Sequence, residues 1–175
     1  MSKVFGLTER YTPVSDEMSR VVFAYGIEPV DDKNSTWCEV FFYKKQHPNL
    51  TLQDVKDAIY ADANAETDRR ILEDFVWEGK NVWLSSENQF NFKAAYDLAI
   101  QTQGASLPVK FKLGETAEGE PVYHTFEDME EFTDFYTKTI AFINQCLNEG
   151  WQRKDSIDWS EYEPYFPQTE QKSGE

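Results

Sequence analysis

The longest helical pattern in the chain is TFEDMEEFTDFYTKTIAFINQCLNEG, residues 125–150. Apolar side chains recur in it three and four positions apart, which is the period of one helix face. Thr125 and Asp128 have the capping-box spacing, and Gly150 is a residue type at which helices often end. The segment therefore predicts a helix from Thr125 to Gly150. Its predicted buried stripe comprises Met129, Phe132, Tyr136, Ile140, Ile143 and Leu147.

Two further helices are predicted on the N-terminal side of this segment. Thr51 and Asp54 again have capping-box spacing, so a helix should begin at Thr51, with Leu52, Val55 and Ile59 on one face. Ser86 should begin another helix, which closes near Gly104. Its apolar residues form one broad predicted stripe: Phe90, Phe92, Ala94, Ala95, Leu98 and Ala99.

Segments rich in β-branched and aromatic residues alternate with turn residues and predict three hairpins. The paired segments are 19–27 with 36–45, 75–77 with 82–84 around a turn at 79–81, and 108–113 with 121–125. In the second strand, Cys38, Val40 and Phe42 should share one face and Trp37, Phe41 and Tyr43 the other. The fold class that follows is α+β, with antiparallel strand hairpins packed against three main helices.

The length of 175 residues suits one domain with a substantial core. Residues 1–18 mix turn formers and charges and predict an extended or loosely attached lead-in. We expect a single α+β domain over 19–166, in which the aromatic stretch from Trp151 to Phe166 docks as a short helix or turn. Residues 167–175 are expected to be disordered.

The charge balance argues against several classes of partner. The chain has 32 acidic and 17 basic residues, a formal net charge of -15. A phosphate backbone is bound chiefly by Lys and Arg, so we expect no direct nucleic-acid binding. There is also no apolar run long enough to span a bilayer and no secretory signal pattern, so no membrane partner is expected. Cys38 and Cys146, far apart in apolar segments, are predicted to be free thiols.

Residues with catalytic or metal-binding potential are few. His47 and His124 are the two histidines that could serve as a general base, and neither lies in a recognisable motif. The cysteines and histidines lack the paired spacing of a zinc site. Phosphate-binding glycine loops, nucleophile elbows and dinucleotide fingerprints are absent. The sequence therefore predicts no catalytic residue, no metal and no cofactor.

Large aromatic residues are the remaining candidates for a functional surface, because such side chains often anchor protein interfaces. They are concentrated in the second hairpin and in the C-terminal aromatic stretch. Two interpretations stay open, a place in the core or a protein contact. The candidate contact residues are Trp77, Trp83, Trp151, Trp159, Tyr162 and Tyr165.

Three stretches together resemble a known family. They are VWLSSENQFNFKAAYDLA, then LPVKFKLG, then YHTFEDMEEFTDFYTKTIAFINQCLNEGW with KDSID behind it. From about Phe75 to Trp159 the chain resembles DUF4376, a domain of unknown function found in phage and prophage tail-associated proteins. The resemblance implies a hairpin, a helix with a serine-rich cap, a strand pair and a long helix followed by a short one. It implies no active site.

The resemblance and the lack of a catalytic motif favour a non-enzymatic interaction or structural module. It would be phage- or prophage-encoded, tail-associated or an assembly accessory, and located in the bacterial cytoplasm or the virion. A protein partner or self-association is expected. One alternative is an acidic inhibitor that mimics DNA and binds a host DNA-binding enzyme. Another is a small-molecule enzyme that uses His124 or His47 with nearby carboxylates.

Overall fold

The protein is described by a computed structural model over residues 2–166. Its α-helices are Leu52–Glu73 (α1), Ser86–Gln101 (α2) and Met129–Asp155 (α3). Its strands are Ser2–Leu7 (β1), Val14–Asp16 (β2), Arg20–Pro29 (β3), Asn34–Tyr43 (β4), Val76–Trp77 (β5), Lys80–Asn81 (β6), Val109–Glu115 (β7) and Pro121–Phe126 (β8). All strand pairs are antiparallel, which confirms the predicted α+β class. The predicted disorder of 167–175 lies outside the described residues.

The chain divides into two compact units. Unit 1 comprises Met1–Ala65 and Trp151–Glu175, of which residues 2–65 and 151–166 are described, and unit 2 comprises Glu66–Gly150. The boundaries fall within α1 and α3. In the described part of the chain, no helix combines the length and apolar character needed to cross a membrane.

Unit 1 contains a four-stranded sheet in the order β1-β4-β3-β2. The predicted N-terminal hairpin is confirmed as β3 and β4. Of the two alternatives for the lead-in, extended or loosely attached, the structure shows extended strands that are not loosely attached, because β1 pairs with β4 and β2 pairs with β3. Gly6 explains part of this pairing: a Cβ there would lie 2.8 Å from the Trp37 ring, so glycine lets the edge strand approach the ring closely.

The core of unit 1 lies between this sheet, α1 and the aromatic stretch. Val55 and Ile59 of α1 are fully buried, as predicted from their common face. The predicted cap is also confirmed, since the Thr51 N–H donates to Asp54 Oδ2 at 2.9 Å and the Asp54 N–H donates to Thr51 Oγ1 at 3.2 Å. The C-terminal stretch docks through two short 3-10 turns, with Tyr162 buried between them.

Burial raises the pKa of three phenols in unit 1, those of Tyr11, Tyr25 and Tyr162. The Tyr25 hydroxyl also donates to Asp62 Oδ2 at 2.5 Å, and the Tyr162 hydroxyl to Ala24 O at 2.7 Å. Because these folded-state pKa values exceed the unfolded value of about 10, the stability they contribute is complete below that pH and is lost as pH rises through the folded values.

We therefore expect alkaline unfolding to coincide with the ionisation of these three phenols. Absorbance and circular dichroism followed together through an alkaline titration check this. Tyr25→Phe and Tyr162→Phe should each remove one phenolate from the late part of the absorbance change. Phenolate formation complete near pH 10 with the ellipticity unchanged would contradict the expectation.

Unit 2 contains two short hairpins, all of α2 and most of α3, packed around an aromatic core. The second predicted hairpin is present as β5 and β6, but its predicted bounds are wrong: the second strand lies at Lys80–Asn81, where the turn was expected, and not at 82–84. The turn lies at Glu78 and Gly79, both with positive φ. The third is confirmed as β7 and β8. The fully or nearly buried core residues are Phe75, Trp77, Val82, Leu84, Phe92, Ala99, Leu113, Phe126, Phe132 and Phe135.

Helix α2 is capped by Ser85, one residue before the predicted start, and the Asn88 N–H donates to the Ser85 hydroxyl. The broad predicted stripe is wrong in part. Phe92 and Ala99 are buried, but Phe90 is 72% exposed and Leu98 is half-exposed. The buried stripe is therefore narrower than the apolar pattern, because one side of the helix packs on the core and the neighbouring side faces outward.

Helix α3 begins at Met129, so the predicted start at Thr125 is wrong. Phe126 is fully buried and extends β8 through the predicted cap, and Asp128 caps the helix instead by accepting the Glu131 N–H at 3.0 Å. The predicted end at Gly150 is also wrong, since α3 continues to Asp155. A Cβ on Gly150 would clash with Thr67, so glycine here allows close helix contact rather than an ending.

The buried stripe of α3 is also rotated relative to the prediction. Phe132 is buried as predicted, but Ile140 is 40% exposed. The other fully buried positions are Phe135, Thr139, Cys146 and Gly150. Cys38 and Cys146 are free and buried, as predicted.

Candidate functional site

Two aromatic rings and two lysines lie together on the outer side of the β7–β8 hairpin, which supplies Lys110, Lys112 and Tyr123, while Trp83 comes from the segment between β6 and α2. We call these four residues the aromatic–lysine face. Alternation along β7 places its two lysines outward, while the residue between them packs against the core. Lys112 lies opposite Tyr123 in the register. The outward positions of Lys110, Lys112 and Tyr123 therefore follow from the pleat of the hairpin.

The rings and ammonium groups of this face contact one another. Lys110 Nζ lies 4.6 Å from the centroid of the Tyr123 ring, and Lys112 Nζ lies 5.5 Å from that of Trp83. Tyr123 is 53% exposed and Trp83 is 39% exposed. Cation–π contacts of this kind at exposed sites contribute roughly 0.5–1 kcal/mol each. They hold the rings in place without removing them from solvent.

The backbone beneath Trp83 is fixed by hydrogen bonds. The Trp83 N–H donates to Leu113 O at 2.7 Å, and the Asn88 side-chain amide donates to Trp83 O at 2.8 Å. Gly114 makes the close approach possible, because a Cβ there would lie 2.7 Å from Asn81 O. The exposed indole is thus presented from a rigid support, which lowers the entropic cost of binding a partner.

The two lysines differ in their charge partners. Lys112 pairs with Glu115 at 2.7 Å, with both side chains partly exposed. Among the residues that the structure describes, Lys110 has no carboxylate within ion-pair distance. A carboxylate brought by a partner could therefore contact Lys110 beside an exposed aromatic ring, a combination of charge and apolar area typical of protein interfaces.

The predicted contact aromatics do not gather in one place. Trp77 is 2% exposed and Tyr162 is fully buried, so each lies in the core of its own unit and has almost no surface for a partner. Trp159 packs edge-on against Tyr60 at 5.6 Å. Trp151, in α3, is 54% exposed. The remaining two are Tyr165, half-buried beside Phe23, and Trp83 in the aromatic–lysine face.

Sequence reasoning missed Lys110, Lys112 and Tyr123 as surface residues. The signal was present, because Lys-Phe-Lys in one strand opposite Tyr-His-Thr in the next alternates between two faces. The alternation defines an outer side with both charges and a ring. The sequence did not indicate that Trp83 lies next to this outer side of the hairpin.

The two histidines have aromatic neighbours. His124 Nε2 lies 2.8 Å from Glu131 Oε1, and its ring packs on Trp77 and Phe126 with centroids 5.0 and 4.7 Å apart. His47, in unit 1, packs edge-on against Phe42. The histidine–carboxylate pair at His124 joins β8 to α3. Within residues 2–166, no group of three or more His, Cys, Asp or Glu side chains is arranged to hold a metal ion.

Comparison with known proteins gives one match. A family model described as Domain of unknown function (DUF4376) matches residues 54–170, which is more than half of the chain. No curated protein and no solved structure matches the chain. The matched segment includes every residue of the aromatic–lysine face.

Proposed function

We propose that this chain, which belongs to the DUF4376 family of domains of unknown function, is a protein-binding module that acts through its aromatic–lysine face. One observation supports this most: Trp83 and Tyr123 remain well exposed although lysines and backbone hydrogen bonds hold them in place. Exposed, rigid aromatic residues commonly dominate binding energy at protein interfaces. No substrate or chemical step is part of the proposal.

The chemistry of the partner follows from the charges around the face. The net charge of -15 disfavours a phosphate backbone over long range. At short range, Lys110 offers a cation without a carboxylate partner in the described structure. We propose a partner protein segment that places carboxylates beside apolar side chains, so that it contacts the rings and the Lys110 ammonium group together.

The proposed setting is a phage or prophage, in which the module is tail-associated or an assembly accessory and acts in the bacterial cytoplasm or the virion. The resemblance of residues 75–159 to proteins of that setting supports this. The partner would then be a virion protein.

The proposal predicts that Trp83→Ala weakens partner binding by about 30-fold, the effect of losing about 2 kcal/mol at an interface hot spot. The tagged protein would capture its partner from a host lysate after prophage induction. The captured virion protein would then be purified and titrated against the variants. Phe90→Ala is the matched control, because Phe90 is an exposed ring of the same unit outside the face.

Retention of a virion protein by the wild type and by Phe90→Ala, with weakened binding by Trp83→Ala, supports the proposal. Equal binding by the two variants would overturn it. So would capture of a second copy of this chain or of a host nuclease in place of a virion protein. Circular dichroism of each variant checks that the fold is retained.

A further inference from the structure

We infer that unit 1 contains a separate binding site for a molecule with an apolar body and one carboxylate. The site is a pocket of about 310 Å³, within the size range of small-ligand sites. Its apolar walls include Phe42, Leu50, Tyr165 and Phe166, and Lys44 and His47 supply its polar groups. The aromatic–lysine face lies in unit 2, so this site is independent of the proposed function.

The walls of the pocket are held by contacts within unit 1. Phe23, at the centre of the core, stacks on Phe166 with ring centroids 5.9 Å apart and contacts Tyr165 edge-on at 5.7 Å. On the other side, the His47 ring packs edge-on against Phe42 at 5.1 Å, and the His47 N–H donates to the backbone oxygen of Tyr43. The lining residues are therefore held by packing within unit 1.

The lining chemistry selects the ligand class. The aromatic and aliphatic side chains of the lining favour an apolar body, and its polar side chains favour one polar group on that body. Lys44 supplies a cation for an acidic group. Lys44 Nζ already contacts Asp16 Oδ1 at 2.5 Å, so a bound carboxylate would share the ammonium group and be repelled by Asp16. Replacing Asp16 should remove both the sharing of the ammonium group and the repulsion, so the change in ligand affinity measures the two effects together.

The chain's own C-terminal residues do not have this chemistry. Residues 167–175 read PQTEQKSGE and include no large apolar side chain. An aliphatic carboxylate therefore complements the walls better than this segment does. A variant that ends at Phe166 tests the point, since removal of a competing segment would strengthen ligand binding, and we expect no change.

The test is calorimetric titration of the full chain with decanoate below its micelle concentration. We expect saturable binding, about tenfold weaker in Lys44→Glu and several-fold tighter in Asp16→Asn. Lys45→Glu is the matched control, because Lys45 makes the same charge change at the next residue but does not line the pocket. It should bind like the wild type.

Decanol has the same alkyl chain without the charge. It should bind the wild type more weakly than decanoate does, and its affinity should be the same for Lys44→Glu as for the wild type. Leu50→Trp should abolish binding by filling the pocket. The inference is overturned if decanoate does not saturate, if Lys44→Glu and Lys45→Glu weaken binding equally, or if Asp16→Asn does not strengthen it. Stronger binding by the variant ending at Phe166 would assign the pocket to the chain's own end.

Discussion

Replacing Trp77 by alanine is expected to lower the free energy of unfolding by about 3–5 kcal/mol, the usual cost of truncating a buried Trp or Phe. Trp77 is 2% exposed, and its ring contacts those of Phe126 and Phe135 at centroid distances of 5.6 and 5.2 Å. Its indole N–H also donates to Asp134 Oδ2 at 3.1 Å. Alanine would lose these contacts and leave a cavity at the centre of unit 2.

Trp151→Ala is the matched control, because it is the same substitution at a tryptophan that is 54% exposed. Its expected effect is about 0.5 kcal/mol or less. Urea unfolding followed by circular dichroism measures both variants without using tryptophan fluorescence. Equal destabilisation by the two substitutions would contradict the burial that the structure assigns to Trp77.

Replacing Phe23 by alanine is expected to lower the free energy of unfolding by a similar amount, about 3–5 kcal/mol. Phe23 is fully buried in unit 1, and its ring contacts Phe42 in β4 and Tyr162, Tyr165 and Phe166 in the C-terminal stretch. The loss of these contacts should also loosen the C-terminal stretch. Limited proteolysis should then cut within residues 157–166 sooner than in the wild type.

The control for Phe23 is Phe41→Ala, since Phe41 is a partly exposed phenylalanine of the neighbouring strand β4. We expect a cost of about 1 kcal/mol or less and unchanged cleavage of the C-terminal stretch. Chemical denaturation and a proteolysis time course measure both effects. Slow cleavage in a destabilised Phe23→Ala would show that the stretch docks without Phe23.

Local sequence patterns predicted an element correctly where its residues strongly favour one type of secondary structure. The Thr51–Asp54 capping box and the hairpin of β3 and β4 are such cases, and both are confirmed. The start of α3 was missed because Thr125 and Asp128 are both good caps. Burial of Phe126 in β8 decides between them, and this is a tertiary effect that local patterns do not contain.

The edge strands show a second limit of sequence patterns. Residues 2–7 and 14–16 pair through their backbones at the two edges of the sheet, so their pairing requires no apolar alternation in the sequence. The expectation of an extended or loosely attached lead-in followed from composition alone, and the structure has extended strands there. Pairing with β3 and β4 outweighs that composition.

Of the candidate surface, only Trp83 was predicted, and it was predicted by residue type and not by position. Trp77 and Trp83 each follow a valine in the same hairpin region. The burial of the two pairs is opposite, since Trp77 is buried beside an exposed Val76, whereas Trp83 is exposed beside a buried Val82. Register relative to the core produces this difference. Shifting a strand by one residue relative to the core exchanges the residues that face the core with those that face solvent.

Photo-crosslinking from the aromatic–lysine face tests the proposed interaction most directly. A photo-reactive phenylalanine analogue in place of Tyr123 would lie on the face, and the same analogue in place of Phe90 would be exposed outside it. In a host lysate after prophage induction, we predict a cross-link to a virion protein from position 123 and none from position 90. Absence of a virion cross-link from position 123, or an equal yield from both positions, would contradict the assignment of this face.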